Sequence, residues 1–134
     1  MDAAGRVVVI VEDDMVVGAL LSEAINEEPG YRALHIPTPT RALAVLEQLV
    51  PDLLVVDMRL PEMSGLDLYD AVRGDTRMRK VPVIFETGEG AAHADELRRR
   101  GIASYVSKPF DPFEVVGYVK HLAPARPFSA RATN

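Results

Sequence analysis

A three-layer α/β fold, with a parallel sheet between two layers of helices, is predicted by three features of the 134-residue sequence. Short apolar runs alternate with longer amphipathic segments along the chain. Four of the five runs are apolar at consecutive positions and not at every second one, the pattern of strands covered on both faces. Helix-start and helix-stop residues fall between the runs where this parse needs them. Five strands alternating with five helices imply right-handed crossovers and a sheet with helices on both sides.

Taken in order, residues 7–11 (Val-Val-Val-Ile-Val) form the first strand, and 16–27 the first helix, which Asp14 is placed to cap and Pro29-Gly30 to end. A weaker run at 32–36 is the second strand. Thr38 and Pro39 suit the N-cap and first position of a helix over 40–49, whose Ala42, Leu43, Leu46 and Leu49 recur at three- and four-residue spacing. Strands at 53–56 and 83–85 flank a helix over 66–73. A fourth helix, 91–100, is followed by Gly101, and a short strand at 105–106 comes next. Asp111-Pro112-Phe113-Glu114 combines an acidic cap, a proline at the first helical position and a glutamate at the third, opening the last helix over 112–122. Residues 1–123 are expected to form one domain. Residues 124–134 have the composition of a flexible tail or the start of a linker.

Composition narrows the function. Apolar residues make up 48% and charged residues 26%, which is enough apolar content to build a core. The absence of cysteine excludes a disulfide scaffold, a thiol catalyst and Cys-based metal sites, and His35, His93 and His121 have no ligand spacing. A net charge of −5 argues against binding of the whole domain to nucleic acid or to an anionic membrane. No apolar stretch is long enough to span a bilayer, and the first residues do not resemble a signal peptide. The expectation is a cytoplasmic protein that binds neither nucleic acid nor membrane.

In an open parallel sheet, ligands bind beyond the carboxyl ends of the strands. Glu12, Asp13 and Asp14 follow the first run, Asp57 ends the third, Glu86, Thr87 and Gly88 follow the fourth, and Ser107, Lys108 and Pro109 follow the fifth. Two carboxylates about 4 Å apart repel by roughly 4 kcal/mol at an effective dielectric near 20, so a compensating cation is required. Hard oxygen donors at this density favour magnesium, which retains waters that a phosphate can displace. A strand-end aspartate then serves as nucleophile toward a phosphoryl group. Lys108, the Gly88 amide and Thr87 offer a cation, an N–H and a hydroxyl for the developing charge.

Four segments carry a family resemblance: Val7-Val8-Val9-Ile10-Val11-Glu12-Asp13-Asp14, Val55-Val56-Asp57-Met58-Arg59-Leu60-Pro61-Glu62-Met63-Ser64-Gly65, Val81-Pro82-Val83-Ile84-Phe85-Glu86-Thr87-Gly88, and Tyr105-Val106-Ser107-Lys108-Pro109-Phe110. Together, in order and each at a strand end, they closely resemble the receiver domain of two-component response regulators over about residues 6–122. The resemblance implies a flavodoxin-like (βα)5 sandwich with strand order 2-1-3-4-5. It implies that Asp57 accepts a phosphoryl group from a histidine kinase or phosphotransfer protein. Magnesium would be bound by Asp13, Asp57 and the Arg59 backbone carbonyl, with Glu12 acting mostly through water. Thr87 and Lys108 would contact the phosphoryl oxygens, the Gly88 amide would donate to them, and Tyr105 would be the aromatic switch, the alternative being an edge aromatic that simply packs. The Lys108-Pro109 bond is expected to be cis. Such a protein is a signalling module and catalyses only its own phosphorylation and dephosphorylation. The face made by the fourth helix, fifth strand and fifth helix would change on phosphorylation and serve a homodimer or a partner.

Several features modify the pattern. Glu12 stands where aspartate is common in the family. Arg59 and Glu89 are expected to pair at the pocket mouth and hinder the attacking water. The loop Phe85-Glu86-Thr87-Gly88-Glu89-Gly90 resembles the Phe-x-Thr-Gly-x-Gly loop of some stand-alone receivers, and the residues after 124 are expected to hold no output unit, whether the natural chain stops there or continues as a longer protein. The first helix is more apolar than one buried stripe requires. Most of Met15, Val16, Val17, Ala19, Leu20 and Leu21 could be core, or Met15 or Val16 with Pro109 and Phe110 could dock the helical hairpin of a kinase. A magnesium-dependent phosphatase is the main rival, but it would want Asp-x-Asp after the first strand and a cap insertion. A dinucleotide binder would need a Gly-rich loop after that strand. A receiver-like scaffold that is never phosphorylated is opposed by the complete acidic, Thr and Lys set.

Overall fold

A computed structural model of the chain describes residues 5–88 and 90–126. Its elements are β1 (Arg6–Val11), α1 (Met15–Asn26), β2 (Tyr31–Ile36), α2 (Pro39–Gln48), β3 (Leu53–Asp57), α3 (Gly65–Arg73), β4 (Val83–Thr87), α4 (Gly90–Arg99), β5 (Tyr105–Ser107) and α5 (Pro112–Leu122). All five strands pair in parallel in the order β2-β1-β3-β4-β5, as the family resemblance implies. One short 3-10 turn, Thr76–Met78, was not expected. It is a single turn capped by Asp75, too brief to leave a periodic signal.

The consecutive apolar runs have the cause the sequence pattern implies. Val9, Val11, Leu54, Val56 and Phe85 face one layer, with Leu46, Leu68 and Leu97 packed over them. Val8, Ile10, Leu53, Val55 and Ile84 face the other, under Leu21, Ile25, Val115 and Val119. Successive side chains of a strand point to opposite faces, so a strand buried on both sides must be apolar throughout. β2 is at the sheet edge, where Arg32 and Leu34 are exposed, and Arg32 and His35 interrupt its apolar run.

Local chemistry sets the helix ends. Asp14, Thr38, Ser64 and Asp111 each accept a hydrogen bond from a backbone N–H of the first turn they cap. Gly30 and Gly101 have φ of 87° and 75°, the left-handed conformation in which glycine carries no Cβ penalty. Helix bounds differ from the sequence expectation by no more than a residue or so. The first stretch of the expected tail is tied down: the Arg6 Nε donates to the Pro124 carbonyl at 2.7 Å and Arg126 Nη1 to the Gly5 carbonyl at 2.8 Å. Residues 127–134 lie outside the described residues. No described helix is long and apolar enough to cross a membrane.

Of the two readings open for the apolar residues of α1, the one that makes most of them core does not hold. Gly18, Leu21, Ala24 and Ile25 are buried, while Met15, Val16 and Leu20 are 61%, 68% and 50% exposed. A helix lying on one side of a sheet can bury only one stripe, so the remaining apolar residues face outward.

Candidate functional site

Sheet register assembles the site. Ile10, Val55, Ile84 and Val106 share the face covered by α1 and α5. Two residues further along each strand stand Glu12, Asp57, Glu86 and Lys108, which continue that face beyond the strand ends. Asp57 is directly opposite Glu86, and Val11 opposite Val56 brings Glu12 alongside Asp57. Three carboxylates thus neighbour one another across the sheet, with one ammonium at the end of the row.

Lys108 answers that charge. Its Nζ lies 2.9 Å from Asp57 Oδ2, 3.6 Å from Glu12 Oε1 and 3.8 Å from Glu86 Oε1. The Lys108-Pro109 peptide is cis. Glu12, Asp57 and Glu86 are almost wholly buried. Burial raises the proton affinity of Asp57, and so does the Glu12 charge, against the opposing hydrogen bonds from Lys108 and the Arg59 N–H. Burial works against a charged Lys108, but the hydrogen bond to Asp57 and the charges of Asp57, Glu12 and Glu86 outweigh it and hold its pKa above the ordinary lysine value.

Glu86 is the residue that sequence reasoning passed over: it was noted at the strand end and given no role. It is fully buried, neither carboxyl oxygen has a hydrogen-bond partner among the described residues, and burial, then Glu12 and Asp57, push its pKa up to about 10. The run Val-Ile-Phe-Glu-Thr places Glu86 near the strand's end, but not whether it is buried there.

Asp13 is exposed at the rim, and carboxylate oxygens of Glu12, Asp13 and Asp57 lie within 4.8 Å of one another. The turn carrying them is braced: Asp14 N–H donates to Glu12 Oε2 at 3.0 Å and Glu12 N–H to the Ile36 carbonyl at 3.2 Å. Three converging hard-oxygen donors, with Glu12 Oε1 left without a hydrogen bond, suit a small divalent cation such as magnesium.

Around Asp57 the loop closes tightly. Asp57 Oδ1 accepts from the Arg59 N–H at 3.1 Å, and the Gly65 N–H donates to the Met58 carbonyl at 2.9 Å. A Cβ on Gly65 would collide with the Asp57 carbonyl oxygen and come within 2.9 Å of the Met58 Cα, backbone atoms that cannot swing aside. Gly65→Ala is therefore expected to destabilise the fold by about 2 kcal/mol, measured by urea unfolding. An unchanged midpoint would show that the loop relaxes freely.

The remaining expected site residues are distributed as follows. Thr87 is buried, and its Oγ1 makes only long contacts of 3.4 Å to the Val106 carbonyl and Ser107 Oγ. Gly88 is exposed, with open space where a side chain would be. Tyr105 is half-buried and packs against the core on the Phe85 side of the sheet. Arg59 is exposed. Glu89, its expected partner, lies outside the described residues.

The model of the response regulator receiver domain family matches residues 8–120. The polar-differentiation response regulator DivK of Brucella ovis is 34% identical over 103 residues, covering 76% of this chain and 83% of its own. The phosphate regulon transcriptional regulatory protein PhoB of Pseudomonas aeruginosa is 30% identical over 117 residues, and the matched region spans 87% of this chain but only 51% of PhoB. Among solved structures, the signal receiver domain of a signal transduction histidine kinase from Syntrophus aciditrophicus has 30% identity and a TM-score of 0.76, covering 89% of this chain and 90% of that one.

Proposed function

The chain belongs to the response regulator receiver domain family, and on that premise we propose that it is a magnesium-dependent phosphoacceptor whose nucleophile is Asp57. The observation that carries this reading is the approach of Lys108 Nζ to within 2.9 Å of Asp57 Oδ2, inside a pocket that collects the carboxylates of Glu12 and Asp13. A carboxylate oxygen of Asp57 attacks phosphorus, the P–N bond of a donor phosphohistidine breaks, and the electron pair leaves with the imidazole, giving an aspartyl phosphate.

Each residue has a task in that transfer. Lys108, already at the acceptor oxygen, moves to the incoming phosphoryl oxygens. The Gly88 N–H and the Thr87 hydroxyl supply two donors, and the long bonds that now hold Thr87 are weak enough to exchange for a charged acceptor. Magnesium, held by Glu12, Asp13, Asp57 and the Arg59 carbonyl, would supply positive charge against the phosphoryl oxygens. Movement of Thr87 opens room beside Tyr105, whose inward turn would alter the α4-β5-α5 face for a homodimer or another partner.

The donor's docking surface is the exposed apolar side of α1. Val17, Leu20, Leu21, Pro109, Phe110 and Pro112, with Lys108, line a groove of about 370 Å³, and Met15 and Val16 are exposed in the first turn of the same helix. An apolar groove beside a phosphoacceptor suits the helical hairpin of a histidine kinase or phosphotransfer protein. The proposed module acts in the cytoplasm, without direct nucleic-acid binding, and is not an enzyme toward other substrates.

Incubation with magnesium and a small acyl-phosphate donor, followed by intact mass measurement, tests the assignment. One added phosphoryl group is expected, and chelation should prevent it. No mass gain with magnesium and donor in excess would refute the reading.

A further inference from the structure

The imidazole of His35 occupies an unusual place beneath the acidic turn. His35 is the penultimate residue of β2, paired with Ile10, and its side chain is half-buried on the α1 side. Its Nε2 lies 2.7 Å from the Glu12 backbone oxygen. A carbonyl can only accept, so Nε2 carries the proton and donates. Directly over the ring is Gly18, where a Cβ would overlap the Cε1, Nε2 and Nδ1 atoms of His35.

Glycine inside a helix is less favourable than alanine, and Gly18 is in the body of α1. No turn or left-handed conformation requires it there. The room it leaves is filled by the imidazole, so glycine and histidine work as a pair: one opens the space, and the other places a donor where the Glu12 carbonyl needs it. That carbonyl belongs to the peptide unit joining Glu12 to Asp13. The peptide is planar, so holding its carbonyl also holds the Asp13 N–H and the bond into the Asp13 Cα, and the backbone from which the Asp13 side chain leaves is anchored with it. Asp13 is exposed, so its direction depends on this backbone.

We propose that His35 is a positioning residue for cation binding: its Nε2–H fixes the Glu12–Asp13 peptide unit, and Gly18 provides the space for the ring. The inference rests on the reading of Glu12 and Asp13 as metal ligands. Partners that orient a ligand typically influence metal affinity by 10–100-fold.

The test is a titration of the full chain with magnesium alone, followed by amide chemical shifts and by calorimetry. His35→Phe keeps a ring over Gly18 and removes the donor, and is expected to weaken magnesium binding about tenfold. His35→Gln returns an N–H donor at similar reach and is expected to recover most of that loss, which a purely space-filling role would not allow. Should the phenylalanine ring not be accepted, His35→Ala cannot clash and is expected to show the same loss. Wild-type affinity in the variants that lack the donor, or equal weakening by glutamine, would overturn the positioning role alone. A wild-type protein that binds no magnesium would overturn the metal reading and this inference with it.

Discussion

With Asp57 replaced by alanine, incubation with magnesium and an acyl phosphate is expected to add no phosphoryl group, and with Lys108 replaced by methionine to add it about 100-fold more slowly. The two effects have different causes. Alanine removes the one carboxylate, among the described residues, that Lys108 approaches at hydrogen-bond distance, and with it the attacking oxygen. Methionine leaves the nucleophile in place and withdraws the cation nearest to where charge develops, a loss of the size seen when one preorganised donor is deleted. Loss of labelling in the alanine variant should not come from unfolding. Without Asp57, Lys108 still has Glu12 at 3.6 Å and Glu86 at 3.8 Å, and the repulsion among the carboxylates is reduced. Thermal melts followed by circular dichroism provide the control. Full labelling of the alanine variant would remove Asp57 from the mechanism, and an unchanged rate in the methionine variant would remove Lys108.

Glu86 is expected to make the metal-free protein less stable as pH rises, and Glu86→Gln to abolish most of that slope. The unfolded glutamate releases its proton near 4.5, while the folded one holds it to about 10. Below 4.5 both states are protonated and the group makes no difference. Between 4.5 and 10 the unfolded chain binds fewer protons than the native one, so stability falls with pH by about 1.4 kcal/mol per unit until the folded carboxyl also ionises. At pH 7 the accumulated loss is about 3 kcal/mol. Asp57, raised by burial, adds to the same trend, whereas raised Lys108 contributes stability that is lost only as pH climbs through the lysine range. Glutamine keeps the shape and a donor without the ionisation. In the presence of a chelator, the variant should melt about 10 °C above the wild type at pH 7 and close to it at pH 4. A wild-type slope in the variant would show that Glu86 is not the source.

Glu86 also marks how far the sequence could be read. Asp57, Lys108, Glu12, Asp13 and Thr87 were all legible, since each directly follows or ends an apolar run, and in a parallel sheet those ends lie on one side. The same rule placed Glu86 there, but its depth was not legible. Whether a strand-end carboxylate reaches water depends on its two neighbours across the sheet, which for Glu86 are Asp57 and Val106. His35 is a similar case: in the sequence it is a lone histidine on a weak strand, and 17 positions separate it from the glycine that accommodates it. For Met15, Val16 and Leu20 the sequence left core and surface open, and the structure exposes them.

By itself, then, the sequence determined the order and kind of the elements, their caps and the identity of the acidic pocket. Those depend on interactions between residues close along the chain: period, capping side chains, and the direction a strand runs. Only the tertiary structure decided which carboxylates lie side by side, which of them are out of reach of water, which side of α1 is bare, and which imidazole holds the acidic turn. These are matters of register and of facing surfaces, where residues distant in the chain set one another's dielectric and hydrogen bonds, and no local pattern encodes that distance.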